Sequence, residues 1–76
     1  MKDFVLNIVR GLVDHPEAIR LTELAGDRLT VFELRCSAED VGKLIGKNGR
    51  TVGAVRTLLG TVAARQGRRA MLEIVE

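Results

Sequence analysis

The spacing of apolar residues switches between a helical and a strand period along this chain, and these switches restrict the fold to a small α+β domain. Apolar residues recur every three or four positions near the start and again after residue 37, whereas those of 29–36 alternate in twos. We therefore expect the order α-β-β-α-α-β, with three helices packed on one face of a small sheet. The predicted elements are helix 4–13, strand 19–24, strand 29–36, helix 37–45, a helix that begins around Gly49-Arg50 and ends at Gly67, and strand 70–75.

Turn and capping residues separate these segments. Pro16 disfavours helical geometry at the preceding residue and ends the first helix. Residues 25–27 predict a turn between the first two strands, which makes a hairpin plausible. Ser37 and Asp40 have the spacing of a capping box, and Gly46 is a favourable residue for a helix C-cap.

Length and composition exclude several classes of protein. The 76 residues correspond to one domain, spanning 1–76, with no apolar stretch long enough to cross a membrane and no recognisable signal peptide. One cysteine and one histidine rule out a disulfide framework and make a zinc site implausible, and Cys36 suits a reducing cytosol, most simply as a small core residue. With a single serine and no Tyr or Trp, the chain lacks the parts of a self-contained enzyme. We expect a cytoplasmic binding module that needs no cofactor.

Charge is divided unevenly along the chain. Residues 41–70 contain seven basic residues and no acidic residue, whereas residues 1–40 contain eight acidic and five basic residues. A segment of thirty residues without a carboxylate attracts polyanions. A solvated basic face that merely keeps the protein soluble would have the same composition.

The chemistry is concentrated between the two middle helices, at Gly46-Lys47-Asn48-Gly49. A glycine pair at this spacing is not specific by itself, so its context decides. We expect a loop of about four residues in which glycine allows a ligand's backbone to approach closely. A helix that begins at Gly49 would offer unpaired N–H groups to a phosphate, and Lys47 and Arg50 would add full positive charges.

At this point the sequence resembles a known family. Ile45-Gly46-Lys47-Asn48-Gly49, preceded by Gly42-Lys43 and followed by Val52 and Val55, matches the I-G-x-x-G-x-x-I-x-x-I pattern of K-homology (KH) domains. The element order is similar to that of type II KH domains. The resemblance covers the whole chain, and its length, its run from Arg50 to Leu59 and its last five residues look like the small stand-alone bacterial KhpA-type RNA-binding proteins.

The resemblance implies single-stranded RNA binding in a groove, with low sequence specificity, and a role in post-transcriptional regulation or as an RNA chaperone. It also implies a mixed sheet, in which strand 29–36 pairs antiparallel with 19–24 and parallel with 70–75. Implied partners are a second copy of the chain and a larger KH-domain protein. The RNA-binding residues we expect, in the loop, the groove and the loop before the last strand, are Val41, Lys43, Ile45, Gly46, Lys47, Asn48, Gly49, Arg50, Val52, Arg68 and Arg69.

Several of these residues have a purely structural interpretation. Ile45 and Val52 would also fit a core, Lys43 a solvated face, and Arg68 with Arg69 a charged turn. A charge-free patch of Val31, Met71 and Val75 on the outer sheet face is either scattered exposure or a protein contact.

Two other functions remain open. A helix-hairpin-helix DNA-binding module also uses a glycine hairpin between two helices, and a protein-interaction adaptor would carry the basic loop incidentally.

Overall fold

The structure, a computed structural model, describes residues 1–75 with all their side chains except those of residues 47–49. The predicted α+β class is confirmed. In chain order the elements are helix α1 (Lys2–Leu12), a 3-10 turn (Pro16–Ala18), strand β1 (Arg20–Ala25), strand β2 (Leu29–Arg35), helix α2 (Ala38–Arg65) and strand β3 (Arg69–Ile74).

The three strands form one mixed sheet in the order β1-β2-β3. β1 pairs antiparallel with β2, where Glu23 lies opposite Phe32, and β2 pairs parallel with β3, where Phe32 lies opposite Leu72. This is the pairing that the family resemblance implied. A parallel pair needs a long crossover connection, which α2 supplies.

The core lies between one face of this sheet and the two α-helices. Phe32 at the centre of β2 has no exposed surface, and Leu34 beside it is almost fully buried. Their partners in the core from the helices and from β3 are Val5, Val9, Leu44, Val52, Val55, Leu59 and Leu72. The helices therefore cover one sheet face, as the apolar stripes predicted.

The opposite sheet face is left uncovered. The register aligns Leu24, Val31 and Met71 in one row across the three strands, and Leu24 and Met71 are about half exposed. This row contains two of the three residues predicted for a charge-free outer patch, and the third, Val75, is half-buried just beyond β3.

One prediction about the helices is wrong. Segments 37–45 and 49–66 were expected as separate helices with a loop between them, but α2 runs from Ala38 to Arg65 as a single helix. Gly46 does not have the positive φ of a left-handed C-cap, whereas Gly67, beyond the end of α2, does, at 69°.

The physical reason is the continuity of the buried stripe. Val41, Leu44, Val52, Val55 and Leu59 fall on one side of an unbroken helix of 3.6 residues per turn, and all five are buried. A glycine inside a helix costs only about 1 kcal/mol relative to alanine, which packing of this stripe easily offsets. Glycine was therefore read too strongly as a helix terminator at Gly46.

Substituting this glycine tests the continuity of α2. Because Gly46 is helical and an added Cβ would meet nothing within 4 Å, Gly46→Ala should raise the free energy of unfolding by about 0.5–1 kcal/mol. The matched control, Gly67→Ala, should lower it by about 1–2 kcal/mol because φ is 69° there. Urea denaturation measures both values. Destabilisation of similar size in the two variants would contradict a helix that passes through Gly46.

Candidate nucleic-acid interface

The exposed side of α2 carries the basic residues predicted for ligand binding. Lys43 and Arg50 are both exposed and lie seven residues apart, which is close to two helical turns. By the helical period they point away from the buried stripe, with the half-exposed Gly46 between them. Lys47, Asn48 and Gly49 complete the predicted motif, but their side-chain positions lie outside the described residues. The described part of the motif is thus a cationic, solvent-facing surface.

An apolar cavity lies at the first turns of α2. It has a volume of about 430 Å³ and is lined by Cys36, Ala38, Val41 and Gly42. Ile45, one turn beyond Val41, is 44% exposed, so it is available to a ligand rather than committed to the core. Small and apolar side chains therefore line a cavity on a different side of α2 from Lys43 and Arg50.

Cys36 lines this cavity, and its packing against the core agrees with the prediction of a small core residue. The residue is half-buried and packs against the edge of the core. Burial raises the pKa of its thiol, so that the neutral form is favoured. The side chain is consequently an apolar lining group of the cavity.

A buried carboxylate joins the end of α1 to the start of α2. Asp40 has no exposed surface, and its oxygens accept hydrogen bonds from the N–H groups of Asp14 and His15 and from the hydroxyl of Ser37, each at 3.0 Å. The N–H of Asp40 in turn donates to Ser37 Oγ at 3.3 Å, which confirms the predicted N-cap of the helix. These donors, with the N–H of Asp14 first, hold the pKa of Asp40 below its usual range.

Ionisable side chains surround this junction. Lys43 forms an ion pair with Asp14, and this bond raises the pKa of the ammonium group. His15 Nε2 lies 3.2 Å from Glu39, and its Nδ1 lies 3.6 Å from Glu17. The hydrogen bond to Glu39 is the main reason that the pKa of His15 is raised. The acidic groups thus gather on the α1 side of α2.

The remaining predicted site residues lie away from the exposed basic side of α2. Val52 is 4% exposed and packs in the core, which agrees with its structural interpretation. Arg68 donates to the carbonyls of Asp27 and Gly26 and to the Thr30 hydroxyl, at 3.3, 2.9 and 2.9 Å, and so ties the β1–β2 turn to the start of β3. Arg69 is exposed opposite Leu29 in the register, on the outer sheet face. The structure therefore places Lys43 and Arg50 on one exposed side of α2, with Gly46 beside them and with Val41 and Ile45 toward the opposite side, and it sets Val52, Arg68 and Arg69 apart.

Sequence reasoning missed two contacts. Nothing in the pattern indicated that Asp40 would bind the turn after α1, because a capping box is a local signal and these partners lie more than twenty residues away. Arg56 Nε and Nη2 donate to the carbonyl of Leu72 at 3.1 and 3.0 Å and so cover part of the β3 edge. The sequence showed only a basic residue on an exposed helix position.

The described residues contain neither a metal-binding cluster nor a membrane-spanning helix. Among residues 1–46 and 50–75, no three His, Cys, Asp or Glu side chains are arranged to hold a metal ion. Neither helix in this part of the chain combines the length and apolar character of a membrane span.

Comparison with known proteins identifies the family. The family model described as KhpA/KhpB, KH domain matches residues 2–74. The chain belongs to this family. It is 47% identical over 76 residues to "RNA-binding protein KhpA" of Chlamydia pneumoniae, covering 100% of this chain and 97% of that protein. It is 48% identical over 69 residues to the protein of the same name in Borreliella burgdorferi, with 91% and 84% coverage, and 41% identical over 76 residues to that of Listeria monocytogenes, with full coverage of both chains.

Family membership confirms the resemblance carried by Ile45–Gly49. It also excludes the helix-hairpin-helix alternative, since α2 has no hairpin at Gly46 and packs its buried face against the sheet. The expected helix N-terminus at Gly49 is likewise absent, because a continuous helix uses its interior amides for its own hydrogen bonds.

Acid titration tests the buried carboxylate. Because the pKa of Asp40 is depressed in the folded state, the stability it supplies is present above its ordinary value of 3.8 and is lost as the pH falls through the lower folded value. Asp40→Asn should lower the melting temperature by several degrees at neutral pH, and the gap to the wild type should close in acid. Circular dichroism melts from neutral pH to pH 2 measure this, with Asp27→Asn at an exposed turn as the control. A gap that does not change with pH would contradict the assignment.

Proposed function

We propose that this protein binds single-stranded RNA on the exposed side of α2 and holds the sugar-phosphate backbone at Gly46–Gly49. The observation that carries the proposal is that Lys43 and Arg50 lie exposed on one side of α2, in the part of the sequence that contains no acidic residue. The relatives named RNA-binding protein KhpA support it from outside the structure.

The phosphate contacts are electrostatic in this proposal. Lys43 and Arg50 lie in the segment without a carboxylate, so an approaching polyanion meets positive charge along two turns of helix. Gly46 has open space around its Cα, which lets an RNA backbone approach closely. From the sequence, Lys47 and Asn48 belong to the same contact surface.

Base contacts would be shallow. The cavity beside Val41 and the exposed Ile45 would contact bases or ribose through apolar surface. Aromatic stacking is not available there, because Phe32 is buried in the core and Phe4 lies half-buried on α1. We infer low sequence specificity and modest affinity, as a chaperone or post-transcriptional regulator of many RNAs in the cytoplasm would have.

Self-association is part of the proposal. A modest site gains avidity when two copies are linked, without any new contact to RNA. Association with a second copy of the chain would increase the avidity for RNA, and so would association with a larger KH-domain protein. The uncovered row of Leu24, Val31 and Met71 offers apolar area for such a contact.

Charge removal on α2 tests RNA binding. Lys43→Gln with Arg50→Gln should weaken binding of a fluorescent single-stranded RNA by about tenfold and reduce the slope of log K against log salt by about 1.4, because two phosphate contacts are lost. The matched control, Arg10→Gln with Arg35→Gln, also removes two exposed positive charges, but from α1 and the end of β2, and should leave the RNA affinity nearly unchanged. Fluorescence anisotropy over a salt series measures both quantities.

A second variant and a second ligand complete this test. Lys47→Asp with Asn48→Asp should abolish RNA binding, because the change replaces one predicted phosphate-binding charge with two carboxylates that repel the RNA backbone. Single-stranded RNA should bind more tightly than duplex DNA at the same ionic strength. Retained binding in the folded double variants would refute the proposal. A purified protein that binds no RNA but captures one protein partner after nuclease treatment would instead favour an adaptor.

A further inference from the structure

One basic residue of the predicted RNA-binding surface forms an ion pair within the protein itself. Lys43 belongs to the exposed basic side of α2, yet its ammonium group pairs with the carboxylate of Asp14, which follows α1. From this contact we propose that Asp14 competes with RNA phosphate for Lys43 and so lowers the RNA affinity of the protein. The inference rests on the proposed function and identifies a residue that tunes the same site.

The position of Asp14 is set by the buried carboxylate of Asp40. The N–H of Asp14 donates to Asp40 Oδ1 at 3.0 Å, and the next N–H, of His15, donates to Asp40 Oδ2 at the same distance. Asp40 lies three residues before Lys43, so the two side chains are neighbours on the helix. Backbone bonds to a fully buried group therefore present the Asp14 side chain to Lys43, in a way that a mobile loop would not.

The neighbouring acidic groups are committed to a different partner. Glu39 and Glu17 both lie next to the imidazole of His15, at 3.2 and 3.6 Å. Asp14 is the carboxylate for which the structure gives a contact with Lys43. The competition is therefore assigned to one side chain and not to the general acidity of residues 1–40.

The contact is weak enough for RNA to displace. The Lys43 and Asp14 side chains are 52% and 62% exposed, and ion pairs at such exposure are worth little. A phosphate can replace the carboxylate by a rotation of the lysine side chain, at an energetic cost that reduces affinity several-fold without abolishing it. Asp14→Asn should leave the fold intact. The hydrogen bond to Asp40 comes from the backbone N–H of residue 14, which this variant retains.

A double-mutant cycle separates this competition from a general charge effect. The four proteins are the wild type, Asp14→Asn, Lys43→Gln and the double variant, each titrated into a short fluorescein-labelled single-stranded RNA. The control Asp27→Asn makes the same chemical change in the β1–β2 turn. Arg68 joins this turn to the segment that follows the C-terminal end of α2. Circular dichroism verifies that each variant is folded.

Asp14→Asn should tighten RNA binding about two- to fivefold at low salt, with a smaller gain at high salt as the charges are screened. Asp27→Asn should give a distinctly smaller gain, and Asp14→Asn should have little effect when Lys43 is already replaced. Equal gains from Asp14→Asn and Asp27→Asn, or a gain that persists without Lys43, would overturn the inference and leave RNA binding itself intact. If neither the wild type nor Asp14→Asn binds RNA, the proposed function fails, and the inference fails with it.

Discussion

The packing of α2 against the sheet is the constraint on which the rest of the molecule depends. Leu44, Val52, Val55 and Leu59 meet the apolar face centred on Phe32, and this contact fixes the rotation of the helix about its axis. Once that rotation is fixed, the period of 3.6 residues decides which residues face solvent. Because the apolar residues of α2 face the core, Lys43 and Arg50 face solvent, and the proposed RNA-binding surface is a direct consequence of core packing.

The buried Asp40 is the second constraint, and it acts in a different way. A buried carboxylate without hydrogen-bond donors would be strongly destabilising, so the stability of Asp40 in the core depends on the three groups that donate to it. Two of these are backbone groups of the turn between α1 and the 3-10 turn, which thereby docks on the N-terminus of α2. The same group that caps the helix also sets the position of the acidic residues beside it. Fold stability and the electrostatics of the proposed RNA-binding surface are therefore linked through one side chain.

Local patterns predicted most of this structure because each of them has a local cause. The alternation in 29–36 predicted β2 and the burial of Phe32, and Ser37 was recognised as an N-cap from its position alone. The parallel pairing with β3 came from the family resemblance, because no local signal encodes it. The helix end predicted at Gly46 was wrong. Glycine by itself favours a break in the helix, whereas the buried apolar stripe on both sides of it favours a continuous α2. The hydrogen bonds from Asp14 and His15 to Asp40, and those from Arg68 to the β1–β2 turn, were not predictable from spacing, since they join segments far apart in the chain.

The continuous helix changes how a phosphate can be held at this site. A loop followed by a new helix would present unpaired amides, which bind anions with fixed geometry. A helix interior presents side chains instead, and Lys43 and Arg50 are long groups that lose considerable freedom when they are ordered. Contacts of this kind follow the RNA backbone without demanding one exact position for it. If RNA binds here as proposed, a surface without stacking aromatics would favour many sequences about equally, and the charge around Lys43, including that of Asp14, would be the main determinant of how tightly any of them binds.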